Sequence, residues 1–216
     1  MTEYKGTKGG AVQNFEEDPD NPHVGQVWYN ETTGNLRVRQ TTLTSAWASG
    51  GDMNTARQAL GNAGTQTAAL GFGGSTDPPF TRVAITEQYD GSSWTEVNDL
   101  NQDKYNDMAN FGTSTAGIVA GGVAPGSPTG TANTESWNGT NWTEVNNLNT
   151  GRRGMGSNGI QTSGLAYGGS APASGLLTES WNGTNWTAVN NLNTPVDFAS
   201  GAGASNTSAL KFIERS

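Results

Sequence analysis

One seventeen-residue phrase occurs twice in the chain. Residues 134–150 read TESWNGTNWTEVNNLNT and residues 178–194 read TESWNGTNWTAVNNLNT, with Glu144 against Ala188 as the single difference. A repeat at this period restricts the fold, because each copy must be a small unit that buries its apolar face on its neighbours. The beat extends beyond the twin phrases. Trp47, Trp94, Trp142 and Trp186 follow at steps of 47, 48 and 44 residues. Gly73-Gly74, Gly121-Gly122 and Gly168-Gly169 close AALGFGG, AGIVAGG and SGLAYGG in the same phase.

Each unit reads as four short strands. A small-residue segment (RQALGNAG, DMANFGTS, RRGMGSNG) precedes a short apolar one (AALGF, AGIVA, GLAY), and the diglycine then turns the chain. After a variable polar loop come AITEQY or TESW, a tight turn (DGSS, NGTN) and WTEV or WTAV. Asp-Gly and Asn-Gly between alternating segments are strong hairpin signals. Four strands in roughly 45 residues is the spacing of a β-propeller blade.

The composition agrees with many short strands and tight turns. Only 32% of the 216 residues are hydrophobic, yet seven Trp, five Tyr and six Phe argue against disorder. The absence of Cys excludes disulfide frameworks, Cys-ligated zinc and thiol catalysis, and a single His removes the usual agent of acid–base mechanisms. A net charge of −8 disfavours nucleic acid, which needs a basic footprint. MTEYKGTKGG has no apolar core of a secretory signal, and no run reaches the length of a membrane span, so no membrane insertion is expected.

Diglycine after an apolar strand, an aromatic before a turn and Trp about five residues later form the kelch pattern, and the units resemble kelch repeats across about residues 36–213. Arg57 and Arg152-Arg153 match the basic residues often seen ahead of the first strand, whereas the second unit has Asp103-Lys104. The resemblance implies an all-β, small kelch-like β-propeller over residues 36–216. Three complete units leave raw sheet edges. NLRVRQTTLTSAWAS reads as the last two strands of a further blade, with Arg39-Gln40 aligned on Thr86-Glu87, while FASGAGASN and SALKFIE read as its first two. The expectation is therefore four blades with a composite N/C-terminal closing blade. Trp137, Trp181 and Tyr89 should occupy one strand and Trp47, Trp94, Trp142 and Trp186 the next, as core rings between blades.

Residues 1–35 lack the beat and read as an extended docking arm followed by a hairpin turned at ETTG. YKGTKG, DPDNP and GQVWYNETTGNLRVR, followed by SAWASGGDMNTAR and GTQTAALGFGG, look like the leaders and first units of structural proteins of tailed bacteriophages. That likeness implies a noncatalytic virion protein of tail-fibre, head-fibre or decoration type. Its partners would be other virion proteins, further copies of itself and a host surface glycan or receptor. Tyr4, Val12, Phe15 and Trp28 give the arm apolar surface to bury on a partner. The competing reading is a carbohydrate-binding kelch lectin or adaptor module of cellular origin.

The loops after the diglycines (STDPPFTRV, VAPGSPTGTAN, SAPASGLL) differ most between units, and loops on a rigid scaffold are where binding resides. Asp77, Phe80, Arg82 and Asn133 are the candidate surface-binding residues there. Glu87, Glu135 and Glu179 recur at one position per unit. Catalysis needs carboxylates in differentiated environments, so a structural hydrogen bond to a neighbouring blade is expected instead, and the Arg57 and Arg152 class either pairs with these glutamates or lines the axis. Glu16, Glu17, Asp18 and Asp20 beside His23 match no calcium loop and read as a solvated acidic loop. The Asn-X-Ser/Thr sites around the repeated Trp residues read as turn chemistry. GFGGS and AGGVAPGS lack the Lys and the following helix of a phosphate cradle. No catalytic residue, metal site or cofactor is expected.

Overall fold

The computed structural model describes residues 12–23, 25–39, 50–105, 108–170 and 175–212. The chain divides into two compact units, Met1–Ser49 and Gly50–Ser216. All regular secondary structure among the described residues is strand.

The first unit is a small mixed sheet. Strand β1 (Gln13–Phe15) lies parallel to β2 (Val27–Asn30), and β2 pairs antiparallel with β3 (Asn35–Val38). The hairpin turns at ETTG as the sequence indicates. Asn30 Oδ1 accepts from the Thr33 amide and hydroxyl, and Gly34 supplies the positive φ the turn requires. Two features depart from the sequence reading. Gln13–Phe15 lies within the stretch expected to be an extended arm, yet it forms a strand. The Phe15 carbonyl accepts from Glu31, and Asp18 behind it holds two side chains of β2. In addition, Asn35–Val38, expected to open the N-terminal half of the composite blade, is paired with β2 in this sheet. The rest of that half, residues 40–49 with Trp47, lies outside the described residues, as does Tyr4.

The second unit opens with β4 (Gly61–Thr65) and β5 (Ala68–Phe72), then β6 (Ser75–Thr76) and β7 (Thr81–Arg82), then β8 (Thr86–Tyr89) and β9 (Trp94–Val97). The sheet order is β4-β5-β8-β9, and β6-β7 form a separate ribbon in the loop between β5 and β8. The next meander is β10 (Ala109–Thr113), β11 (Ala116–Ala120), β12 (Thr134–Trp137) and β13 (Trp142–Val145). The third is β14 (Arg153–Ile160), β15 (Ser163–Ser170), β16 (Thr178–Trp181) and β17 (Trp186–Val189). A two-stranded sheet follows, β18 (Ser200–Ser205) against β19 (Ser208–Phe212), as the two C-terminal segments suggest.

The repeated phrase is the outer hairpin of a sheet. Asn138 Oδ1 accepts from the Thr140 and Asn141 amides, and Asn182 does the same for Thr184 and Asn185. The register sets Trp137 opposite Trp142 and Trp181 opposite Trp186, each pair with ring centroids 5.3 Å apart. These rings are core. Trp137 and Trp142 pack with Leu70, Phe72 and Met108 between the first two sheets, and Trp181 and Trp186 pack with Phe111, Ile118 and Met155 between the next two. Burial of such large rings is the main apolar contribution available to a chain this poor in aliphatics.

The diglycines stitch sheet to sheet as well as turning the chain. The second glycine amide of each donates to the following segment: Gly74 to Lys104 O, Gly122 to Arg152 O and Gly169 to Val196 O. A Cβ on Gly121 would stand 2.6 Å from Arg152 O, so the close approach itself demands glycine. Successive inner strands β4, β10, β14 and β18 are neighbours in that order. All four contribute to one cavity of about 290 Å³, with Asn62, Asn110, Ser157 and Ser200 among its lining. The result is an all-β unit of small antiparallel sheets in a propeller-like arrangement.

Candidate functional site

Each complete sheet is locked at its base by the same three-part cluster. In the first, Glu87 Oε2 accepts from the Asn54 amide at 2.7 Å and from Asn54 Nδ2 at 2.9 Å, while Oε1 faces Arg57 Nη1 at 2.5 Å. In the third, Glu179 Oε2 accepts from the Asn149 amide and Nδ2, both at 2.7 Å, and Oε1 from Arg152 Nη1 at 2.8 Å. In the second, Glu135 takes the Asn101 amide and Nδ2 at 2.7 and 2.9 Å, and its cation is Lys104, 3.1 Å from Oε1. Each asparagine also donates to the carbonyl of the outer Trp of its sheet, Trp94, Trp142 or Trp186.

The side chains of all three ion pairs are buried. Burial works against ionisation of Glu87, but the Asn54 and Thr55 amides and Arg57 outweigh it and hold its carboxyl below the ordinary range. Desolvation pulls Lys104 and Arg152 downward, opposed by Glu135 and Glu179. A carboxylate whose oxygens already accept an amide, a side-chain amide and a cation is fixed as an acceptor. A structural role was expected and fits this geometry, with the cations as partners, but the expected bond to a neighbouring blade is corrected. The bonds run to the segment that leads into the same sheet from its predecessor. The three asparagines were not singled out from sequence, although Asn-X-X-Arg/Lys at a constant place in each unit was the available signal.

The loop candidates divide. Phe80 and Arg82 meet around Tyr105, a residue sequence reasoning missed. The Phe80 ring stands edge-on to Tyr105 at 5.2 Å, and the Arg82 guanidinium lies 5.6 Å from the Tyr105 ring centre. Phe80 is 51% exposed, which is unusual for so large an apolar side chain. Asp77 is exposed in the same loop. Asn133 is half-buried and its Nδ2 donates to Gln102 Oε1 at 2.9 Å, so it is engaged in the scaffold. The two basic neighbours also differ: Arg152 is buried in its pair, while half-buried Arg153 reaches Pro128 O at 3.4 Å.

In the first unit, Trp28 is buried and its indole donates to Asp18 Oδ1 at 3.0 Å, beside Asn30 Nδ2 at 2.8 Å. Those two donors, Asn30 first, hold the Asp18 carboxyl below its ordinary value. The acidic run is exposed as expected, and within it Asp18 has the added role of a structural acceptor that the sequence reading did not assign. Val12 and Phe15 are half-buried. The opposite face of the hairpin carries Val27, Tyr29, Leu36 and Val38, all exposed.

No protein-family model matches the chain, and no curated protein matches it. The kelch and bacteriophage resemblances therefore stand on the residues quoted above.

Proposed function

We propose that this chain is a noncatalytic structural protein of a bacteriophage virion, of fibre or decoration type. Its propeller-like unit displays loops toward a host surface or reinforces the particle. In this reading the second unit is a four-bladed ring, with the two-stranded β18–β19 sheet completed by N-terminal residues. The first unit docks on other virion proteins or on further copies of the chain. Phe80, Arg82 and Tyr105, with Asp77 beside them, are the surface that would meet a host glycan or receptor. A flat aromatic ring next to a cation suits the apolar face and hydroxyl rim of a sugar.

The observation that carries the reading is the contrast between frame and loops. Three sheets repeat the same buried glutamate–cation pair gripped by an asparagine, and each carries an aromatic pair on its outer hairpin, whereas the segments after the diglycines differ in length and in most residues. Such a scaffold fixes geometry and leaves one set of loops free to vary. Immunogold electron microscopy of particles from the source culture, with antibody raised to this chain, tests it. Label at a tail tip or fibre, or spread over the capsid, is expected. Absence of label on every particle would overturn the proposal in favour of a glycan-binding module of cellular origin.

A further inference from the structure

The cavity shared by the four inner strands of the second unit is lined in two layers. One layer is apolar: Leu60, Met108, Met155 and Ala199. The other lies two residues further along each strand and consists of Asn62, Asn110, Ser157 and Gly201, with the Ser200 hydroxyl beside it. Among the described residues that line it, none is charged. At about 290 Å³ it has the room of about ten water molecules at roughly 30 Å³ each, enough for one sugar ring and too little for a longer chain.

The polar layer is only partly engaged by the protein. Asn110 and Ser157 each reach back to the inner strand before their own. Asn110 Nδ2 donates to Asn62 O at 2.7 Å, and Ser157 Oγ donates to Asn110 O at 3.0 Å while accepting from the Asn110 amide at 2.9 Å. A Cβ on Gly201 would collide with Tyr167 Oη, so the last strand adds no side chain to the layer. Asn62 opens the series and has no inner strand before it. Among the described residues its side-chain amide has no hydrogen-bond partner, and neither does Asn110 Oδ1 or the Ser200 hydroxyl. Donors and acceptors therefore stand side by side around an uncharged space. An ion entering it would give up water without meeting a counter-charge, and a ligand that only donates or only accepts would leave part of the layer unmet. Hydroxyl groups do both.

An independent feature stands at the rim. Phe198 has a φ of 55°, a left-handed backbone that is unfavourable for so bulky a residue, and its side chain is 58% exposed. The same place on β14 is Gly154, with a φ of 67°, where glycine meets the requirement without strain. The Phe198 amide donates to Gly154 O at 2.8 Å, and its ring lies over Gly154, with Cδ1 and Cε1 3.6 and 3.7 Å from where a Cβ would stand. The next residues along, Ala199 and Met155, both line the cavity. A strained backbone thus holds a flat apolar ring, still open to solvent, beside a neutral pocket of donors and acceptors. A space filled by water alone has no use for that ring, whereas the C–H face of a sugar does.

We infer that this cavity binds one neutral pyranose unit, with Asn62, Asn110 Oδ1 and Ser200 meeting its hydroxyls and Phe198 covering its apolar face. The site is separate from the Phe80 loop, and it holds or fails irrespective of where the protein sits on a particle. The test is methyl NMR of the full-length protein with labelled methionine, titrated to tens of millimolar with glucose, galactose, mannose and N-acetylglucosamine in turn. At least one sugar is expected to shift the Met108 and Met155 methyls and leave Met53, outside the cavity, unmoved. Glucuronate and protonated glucosamine should bind about tenfold more weakly or not at all. Asn62→Ala and Phe198→Ala, both at exposed positions, should each weaken binding by about tenfold, the order of one lost hydrogen bond or stacking contact. Silence of both methyls with all four sugars would overturn the inference and leave the cavity to water. An equal response to glucuronate would overturn its neutral character. Binding that survives both variants but is lost in Phe80→Ala would move the sugar to the loop and overturn the assignment to this cavity.

Discussion

The second and third sheets share an almost identical outer hairpin, yet they hold their common glutamate differently. In β14–β17 a guanidinium meets Glu179 at 2.8 Å with a good hydrogen bond, and its second nitrogen reaches Ala166 O at 3.4 Å. In β10–β13 an ammonium lies 3.1 Å from Glu135 Oε1, a close ion pair of poorer hydrogen-bond alignment with no second acceptor for Lys104 Nζ among the described residues. Identical strands thus do not guarantee identical locks. The planar fork of Arg satisfies two acceptors at once, while Lys is a point charge that burial has already pulled toward neutrality.

Removing the glutamate should separate the two sheets most strongly. Glu179→Ala leaves a buried guanidinium that cannot shed its proton, and is expected to cost about 3–5 kcal/mol. Glu135→Ala leaves an ammonium that can, so its cost should be smaller and should depend on pH. The sign follows from linkage. With Glu135 gone the folded pKa of Lys104 lies below its unfolded value, so the unfolded state holds the proton more tightly between the two. Stability of that variant should therefore rise as pH rises through this window, relative to Glu179→Ala. Denaturant titrations of both variants from neutral pH upward measure it. Equal, pH-independent losses would break the distinction between the two locks.

A smaller effect is expected from converting one lock into the other. Register places the Val119 carbonyl of β11 where Gly71 and Ala166 serve Arg57 and Arg152, because each lies opposite the cluster glutamate of its sheet. Lys104→Arg should gain a hydrogen bond to Glu135 and one to that carbonyl, raising stability by about 1 kcal/mol. Thermal unfolding of the variant decides it. A lower midpoint would mean that the second cluster is too tightly enclosed for a guanidinium, and that Lys is there for its size.

How far this comparison was visible in the sequence depends on the range of each interaction. The hairpins were legible because Asn-Gly-Thr-Asn fixes its own turn within four residues, and the Trp pairs followed from a register that the turn sets. The glutamates and arginines were legible as a recurring class, since the repeat itself averages over context. Asn54, Asn101 and Asn149 escaped because asparagine is so common here that a constant offset hid among turn residues. Strand β1 escaped because three residues have no periodicity, and its parallel partner is read only from Asp18 gripping Trp28 and Asn30. Phe80 and Arg82 were named as loop residues, but their meeting at Tyr105 joins two units of the repeat, and local spacing does not encode that.

The mildest test concerns the one outer hairpin that departs from the phrase. Where the twin hairpins use Asn138 and Asn182, the first has Asp90, whose Oδ1 accepts from the Ser92 and Ser93 amides at 2.8 Å. Those amides, Ser93 first, lower the Asp90 carboxyl from 3.8 to about 2. A depressed folded pKa contributes stability that is present above the unfolded value and is lost as pH falls toward the folded one. The turn of the first hairpin should therefore loosen between about pH 4 and pH 2, a range in which Asn138 and Asn182, at the same place in the other two turns, have nothing to titrate. Asp90→Asn keeps the acceptor and removes the proton. It is expected to leave stability at neutral pH nearly unchanged and to flatten the acid limb of the pH–stability profile. Amide exchange at Ser92 and Ser93, compared with Thr140 and Asn141, follows the hairpins separately. Unchanged acid sensitivity in the variant would place the titrating group elsewhere and remove Asp90 from the comparison.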